Sequence, residues 1–329
     1  MRSVLSIVTL SVVIFLSGCN EEQTTSGVWA GGEPVNVDHL KERAIEIVRD
    51  GLADENSYVR DRAVEVVLAT GRKEFMPTVR QLLKDDTVAV RFAAAIAIGD
   101  LGYSPAEYAV RRLLKDESGN VRIAAAYALT KLGKGNFSDT IRRAVKSKDQ
   151  MISSNAAMLL GKLGDRKDVK LLYQVIRDSD SSELARIEAV KAIATLGDER
   201  IYRPKSWPLL ISVYHDYKIM GIKAMAALGT TDAKVAMQTM LYDDIQEVRL
   251  YAAMELGRLG DTSGESEVLE YLVKKPPSAD EWSVADNTAA MAIGQIGGRS
   301  LTRFLPKFID SRNKLIRLSA AQSVLLLTG

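Results

Sequence analysis

The side chains best able to do chemistry are few: the 329 residues contain one cysteine and two histidines. Cys19 closes the step Leu16-Ser17-Gly18-Cys19, directly after an apolar stretch. A single cysteine excludes an intramolecular disulfide. His39 and His215 lie far apart and neither belongs to a His-Glu pair, so both read as surface or helix-packing residues and no metal site is expected. There is no phosphate-cradling Gly-rich loop and no G-x-S-x-G. The expectation is a protein that is not an enzyme and carries no cofactor. Charged residues do recur at fixed spacing. Asp54, Asp85, Asp116, Asp180 and Asp243 are each followed six positions later by Arg60, Arg91, Arg122, Arg186 and Arg249. Where the arginine is replaced by Ser153, the aspartate is replaced by Ser147. Paired loss predicts paired contact, a structural ladder rather than an anion site, with each partly exposed pair adding about 0 to 1 kcal/mol.

The elements that place Cys19 are an address and a tether. Arg2 precedes a mainly apolar stretch of 13 residues, Val4 to Leu16, shorter than the roughly 20 that cross a bilayer, so residues 1–18 read as a signal peptide. Leu16-Ser17-Gly18-Cys19 resembles the bacterial lipobox. That resemblance implies a diacylglycerol on the Cys19 thiol, cleavage after Gly18 and an acylated Cys19 amine, two or three chains being needed for stable anchoring. Asn20, in place of the Asp that tends to retain such proteins in the inner membrane, points to the periplasmic face of the outer membrane in a Gram-negative host. In any other host the outer face of the plasma membrane is expected. Residues 19–37 are polar and Gly-rich, a flexible tether with a mean reach on the order of 20 to 25 Å.

Composition bounds the remainder. The chain is 47% hydrophobic and 26% charged, with 6% aromatic residues and eight prolines. Its apolar residues lean on Ala, Leu, Val and Ile, which favours helix throughout. The net charge of +2 falls to +1 once Arg2 is removed. A chain this close to neutral has no general field to draw it onto nucleic acid, and none is expected as partner.

From residue 38 to 329 one pattern recurs: VRDRAVEVVLATG, VRFAAAIAIGDLG, VRIAAAYALTKLG, ISSNAAMLLGKLG, ARIEAVKAIATLG, YKIMGIKAMAALG, VRLYAAMELGRLG, ADNTAAMAIGQIG and IRLSAAQSVLLLTG. The closing glycines, from Gly71 to Gly329, are separated by 31, 31, 31, 33, 32, 31, 37 and 32 residues. Counting the first motif residue as 0, positions 0, 4, 7, 8 and 11 share one arc at 100° per residue, so each motif is an amphipathic helix. The closing glycine suits the left-handed residue after a helix. A second apolar segment, such as EFMPTVRQLL or DVKLLYQVI, lies between motifs. Each unit is then two antiparallel helices, and stacked units bury a continuous core.

The motif resembles short HEAT repeats of the kind first associated with phycobilisome lyases. The resemblance implies an all-α fold, a right-handed α–α superhelix of about nine helix pairs over 38–329, forming one elongated domain. In such solenoids the second helix lines the concave side. Opposite its core arc lie Phe92, Ile96, Ile123, Tyr127, Met158, Ile187, Ile219, Met220, Leu250, Tyr251, Met254 and Met291. The outer units instead carry Asp61, Arg62, Glu65, Ser319 and Gln322. Two arrangements fit this stripe: a groove for a protein or peptide partner, or tight curvature in which these residues pack on one another. Two Pro-containing insertions, with Trp207 and Trp282, map to loops at an edge. The function expected is a lipid-anchored envelope scaffold binding a partner on the concave face. The alternatives are an accessory subunit of an envelope enzyme or transport complex, engaged through its ends or insertions, and more distantly a bilin-lyase-like enzyme.

Overall fold

Five of the nine motif helices carry a side-chain cap at the start, and eight end on a glycine with positive φ. Asn56, Asp149, Ser182, Ser283 and Asn313 cap N-termini by accepting backbone N–H groups of the first turn, which would otherwise lack partners. At the other end Gly71, Gly102, Gly133, Gly164, Gly197, Gly229, Gly260 and Gly297 have φ between 63° and 81°, a left-handed conformation in which a Cβ is strained. The computed structural model describes residues 35–274 and 283–329. Residues 34–329 form one compact unit. The signal segment 1–18, the lipidation site Cys19 and most of the tether, together with Trp282, lie outside the described residues.

We number the nine motif helices α1 (Ser57–Thr70), α2 (Val88–Asp100), α3 (Gly119–Lys131), α4 (Gln150–Leu163), α5 (Glu183–Thr195), α6 (His215–Leu228), α7 (Gln246–Arg258), α8 (Val284–Ile296) and α9 (Lys314–Leu327). Between them run shorter outer helices such as Lys41–Leu52, Met76–Gln81, Glu107–Arg112, Val169–Arg177 and Thr231–Thr239. No strand occurs among the described residues. The fold is all-α, with nine stacked helix pairs among the described residues.

The stack does not stay open. Each motif helix packs on the next, and α9 packs on α1 and on the first outer helix, Lys41–Leu52, closing an inner ring of nine helices. Gly51 lets α9 come close: a Cβ there would stand 3.0 Å from Leu318 Cδ2 and from Ala63 Cβ. Polar contacts cross the same seam. Lys41 Nζ donates to the Thr328 carbonyl at 3.0 Å, and Lys314 Nζ meets Asp54 Oδ2 at 2.6 Å. Arg62 donates to Gln322 Oε1 at 3.0 Å and Ser319 Oγ at 3.3 Å. The elongated domain with polar ends is therefore corrected. Arg62, Ser319 and Gln322 are polar because they satisfy each other where the two ends meet, and Ser319 and Gln322 are buried.

Spacing around the ring follows the smallest residues. At motif position 9 stand Gly99, Gly161, Gly257 and Gly294. A Cβ on Gly294 would lie 2.4 Å from Ser323 Cα, and one on Gly99 2.8 Å from Ala128 Cα. The four neighbouring pairs that begin with such a glycine, α2–α3, α4–α5, α7–α8 and α8–α9, are the most extensively packed in the ring.

The aspartate and arginine of each unit are linked differently from the expected contact at spacing six. Arg60 reaches forward to Asp85 of the following unit with two bonds, 2.7 and 2.9 Å, and Arg91 reaches Asp116 with two of 3.0 Å. To its own unit each arginine donates through Nη1, onto backbone carbonyls: Arg60 to Asp54 and Glu55, Arg91 to Asp85 and Asp86. Arg122 finds Ser147 where the next aspartate would be and keeps only the carbonyls of Asp116 and Glu117. Lys218 reaches Asp243 at 2.5 Å, and Arg249 turns to Glu267 at 2.8 Å. Asp180 and Arg186 make no such link; the Asp180 N–H donates to Asp178 Oδ1 at 3.0 Å. Burial pushes the Asp85 carboxyl up, but the Arg60 guanidinium and the Thr87 N–H outweigh it, leaving the net shift downward.

Two stability outcomes follow from these contacts. Leu318, 1% exposed at the seam, should cost about 2 to 5 kcal/mol as Leu318→Ala, read by urea unfolding; in an open array a terminal-helix change of this kind would cost under about 1 kcal/mol. Arg91→Met strands the buried Asp116 and should cost about 3 to 5 kcal/mol, whereas Arg122→Met, losing two bonds at an exposed site, should cost about 1 kcal/mol.

Candidate functional site

Motif positions 3, 6 and 10 face away from the outer helices, so closure turns the concave stripe into the wall of a lumen. Two adjoining cavities remain in it. One, of about 560 Å3, is lined by Glu65 and Asp61 of α1, Phe92 and Ile96 of α2, and Asn155, Met158 and Lys162 of α4. Its lining reaches Val88 and Met151, in the first turns of α2 and α4. The other, of about 540 Å3, shares Met158 and Lys162 and adds Glu188, Lys191 and Thr195 of α5, Lys223 of α6, and Tyr251, Glu255 and Arg258 of α7.

The expected groove residues divide. Phe92, Ile96, Met158 and Tyr251 line the cavities. Met220 and Met291 are half-buried without lining either, and Arg62 Nη2 lies 2.8 Å from the Met291 sulfur. Ile123, Tyr127, Leu250 and Met254 are buried in the helix pack, with Tyr127 and Leu250 fully covered. For these the groove assignment is corrected. The cause at Tyr127 is a bridge across the lumen. Lys162 of α4 pairs with Asp100 of α2 at 2.8 Å, passing over α3, while the Tyr127 hydroxyl donates to Asp100 beneath it. Asn155 Nδ2 also donates to Asn120 Oδ1 at 2.9 Å. A ring of short radius brings inward side chains within reach of each other, so part of the stripe packs on itself.

Apolar patterning alone left out the charged part of the wall. Position 6 carries Glu65, Lys191 and Lys223, and position 10 carries Asp100, Lys162 and Arg258; their recurrence at inward positions was the available signal. Arg258 Nε pairs with Glu255 at 2.7 Å, and Lys191 meets Glu188 at 3.4 Å. The Lys223 ammonium lies 5.4 Å from the centre of the Tyr251 ring. Burial first, then the charge of Lys191, hold the Lys223 pKa below its ordinary value. Burial, then Glu255, push the Tyr251 hydroxyl up. Burial and the adjacent Glu65 push Asp61 up to about 6, against the pull of Arg62.

The remaining candidates lie elsewhere. Trp207 is half-buried, tilted against Tyr202 at 6.2 Å, with Arg203 stacked over both rings. His39 and His215 are exposed and belong to different units. A groove of about 740 Å3 on the outside, between Met76–Gln81 and Glu107–Arg112, is lined by the exposed Arg80, Lys84, Arg112 and Lys115. Among the described residues no group of three His, Cys, Asp or Glu is placed to hold a metal ion, and no helix is long and apolar enough to cross a membrane.

With this geometry in view, residues 45–111 and 107–194 match the sequence model of HEAT repeats. HEAT repeats are thus present over residues 45–194, and the later units continue the same motif and helix pairing. No curated protein matches the sequence. Among solved structures, human deoxyhypusine hydroxylase in complex with glycerol is 17% identical, covering 79% of this chain and 97% of its own, with a TM-score of 0.38. The complex of CpcE and CpcF of phycocyanin lyase from Nostoc is 16% identical, covering 77% and 93%, with a TM-score of 0.45. The Escherichia coli protein YibA is 17% identical, covering 90% and 99%, with a TM-score of 0.33.

The lumen's acid–base balance can be read through Asp61. Its folded pKa of about 6 lies above the unfolded value of 3.8, so the folded state holds the proton more tightly. Its contribution to stability is complete below about pH 4 and is lost as pH rises to about 6. Asp61→Asn should therefore stabilise the protein by about 1 kcal/mol at pH 7, the exposed part of the carboxyl reducing what burial alone would cost, and change little at pH 4. Urea unfolding at the two pH values checks this, and an equal effect at both would assign the shift to another group.

Proposed function

We propose that the protein is a non-catalytic adaptor of a bacterial cell envelope, anchored by lipid on Cys19 and holding a protein or peptide partner in the lumen of its ring. The observation that carries this reading is that the lumen is not filled. Two adjoining open cavities of about 560 and 540 Å3 persist inside an otherwise closed helix pack. Each has a size ordinary for a binding site, roughly 300 to 1,000 Å3. Phe92, Met158 and the Tyr251 ring supply apolar surface, and methionine adapts to partners of varied shape. A lumen walled around its circumference by helices suits a side chain or a short segment better than a broad flat surface. The anchor rests on the lipobox-like step and the tether, and the compartment is the periplasmic face of the outer membrane in a Gram-negative host, or the outer face of the plasma membrane otherwise.

A second reading, an accessory subunit of an envelope enzyme or transport complex, is favoured by one feature. After the Trp207 insertion, Ile211, Val213 and Tyr214 stand 63, 87 and 66% exposed at the rim of helix N-termini. Such a complex would engage this rim, since the two ends of the array are joined.

Capture of partners from envelope extracts tests both. Phe92→Glu combined with Met158→Glu should reduce recovery about tenfold or more, and equal recovery by the folded variant sinks the lumen reading. Loss with Val213→Ser plus Tyr214→Ser, with the lumen variant unaffected, transfers the function to the rim. For the anchor, Cys19→Ser should abolish palmitate labelling and leave an unprocessed precursor; normal processing and labelling would overturn it.

A further inference from the structure

The cavity between α4 and α7 carries more positive than negative groups, and its cations are not equivalent. Lys162 is matched by Asp100 at 2.8 Å, Arg258 by Glu255 at 2.7 Å and Lys191 by Glu188 at 3.4 Å. Among the described residues, Lys223 has no carboxylate at ion-pairing distance. Its ammonium rests over the Tyr251 ring, a contact that replaces only part of the water it has lost. The groups that act on it are Lys191, Glu188, Glu255 and Glu65. Of these carboxylates, Glu188 and Glu255 are held by Lys191 and Arg258, and Glu65, from α1, by Arg62 at 2.8 Å. The same cavity is lined by the apolar surfaces of Ala192, Ala226, Ala227, Met158 and the Tyr251 ring.

We propose that this site binds a carboxylate, seated on Lys223 with its apolar body against Met158 and Tyr251. An anion there pairs with Lys223, which alone among the described cations lining this cavity has no carboxylate at ion-pairing distance, and about 540 Å3 holds an acid with an aromatic or short aliphatic body. The inference rests on the adaptor reading, because the carboxylate comes either from the partner, as an acidic side chain or chain end, or from a free small acid. Burial and Lys191 keep the ammonium's pKa low in the empty site, and a bound carboxylate raises it again, so binding takes up protons where the ammonium is partly neutral.

Calorimetric titration of the full-length protein in detergent with 4-phenylbutyrate and 4-phenylbutyramide tests the proposal. The acid should bind, and the amide about tenfold or more weakly. Lys223→Met should lose acid binding by about tenfold or more while unfolding at no lower temperature than wild type, since it removes an unpaired, partly buried charge. Lys223→Arg should retain binding. Equal affinity for acid and amide, no binding of the acid, or full binding by Lys223→Met overturns the proposal. Release of the captured partner by excess 4-phenylbutyrate assigns the carboxylate to the partner, and Lys223-dependent binding without release assigns it to a free acid; both support the site. If the Phe92 and Met158 double variant loses the partner while Lys223→Met keeps both partner and acid, the adaptor reading stands and the carboxylate site falls.

Discussion

An array of helix pairs leaves an uncovered apolar face at each end, and open solenoids cover it with polar terminal units. Here the two faces cover each other. Leu318 enters the space left by Gly51 and Ala63, and Lys314, Lys41 and Arg62 tie the last unit to the first. The rest depends on this seam. Without it α1 and α9 would each lose a neighbour, and the inward side chains would line an open concave surface rather than a bounded lumen.

Closure requires every step around the ring to have nearly the right rotation and spacing, because errors accumulate over nine units. Two devices share that task. Glycine or alanine at positions 4, 5, 7 and 9 of most units lets backbones approach, with Gly294 at the tightest of these crossings. The guanidinium of Arg60 or Arg91, held by the carbonyls of its own unit, grips the aspartate of the next, and that aspartate also accepts the N–H of Thr87 or Ser118. The turn that starts one helix is thus attached to the helix before it.

The lumen inherits its character from the short radius of the ring. Side chains too far apart to meet on an open concave face, such as Lys162 and Asp100, pair across an intervening helix. Acids and bases gather in a partly dry space where charge interactions are stronger than in water. Most of them are matched within the wall. The unmatched Lys223 gives the cavity a chemical preference that its apolar residues alone would not.

The repeat period, the motif helices and the terminating glycines were legible because each is local: periodicity places Val90 and Ala94 on one face, and only a left-handed residue ends the helix at Gly102. The Asp–Arg pairing was half legible. Joint loss at Ser147 and Ser153 betrayed a coupled system, but a spacing of six along the chain could not reveal that Arg91 reaches Asp116, twenty-five residues on. The polar positions Arg62, Ser319 and Gln322 misled, since a residue satisfied across a seam has the same composition signal as one facing water. The inward charges were visible as residue types and not as neighbours. The sequence alone determined the unit, its length and its inward-facing set, because helix formation and burial within one unit are short-range. Only the tertiary structure decided that nine units close, that Tyr127 is covered and that Lys223 has no carboxylate at ion-pairing distance among the described residues. Those outcomes depend on small rotations summed over the whole array, which no single repeat encodes.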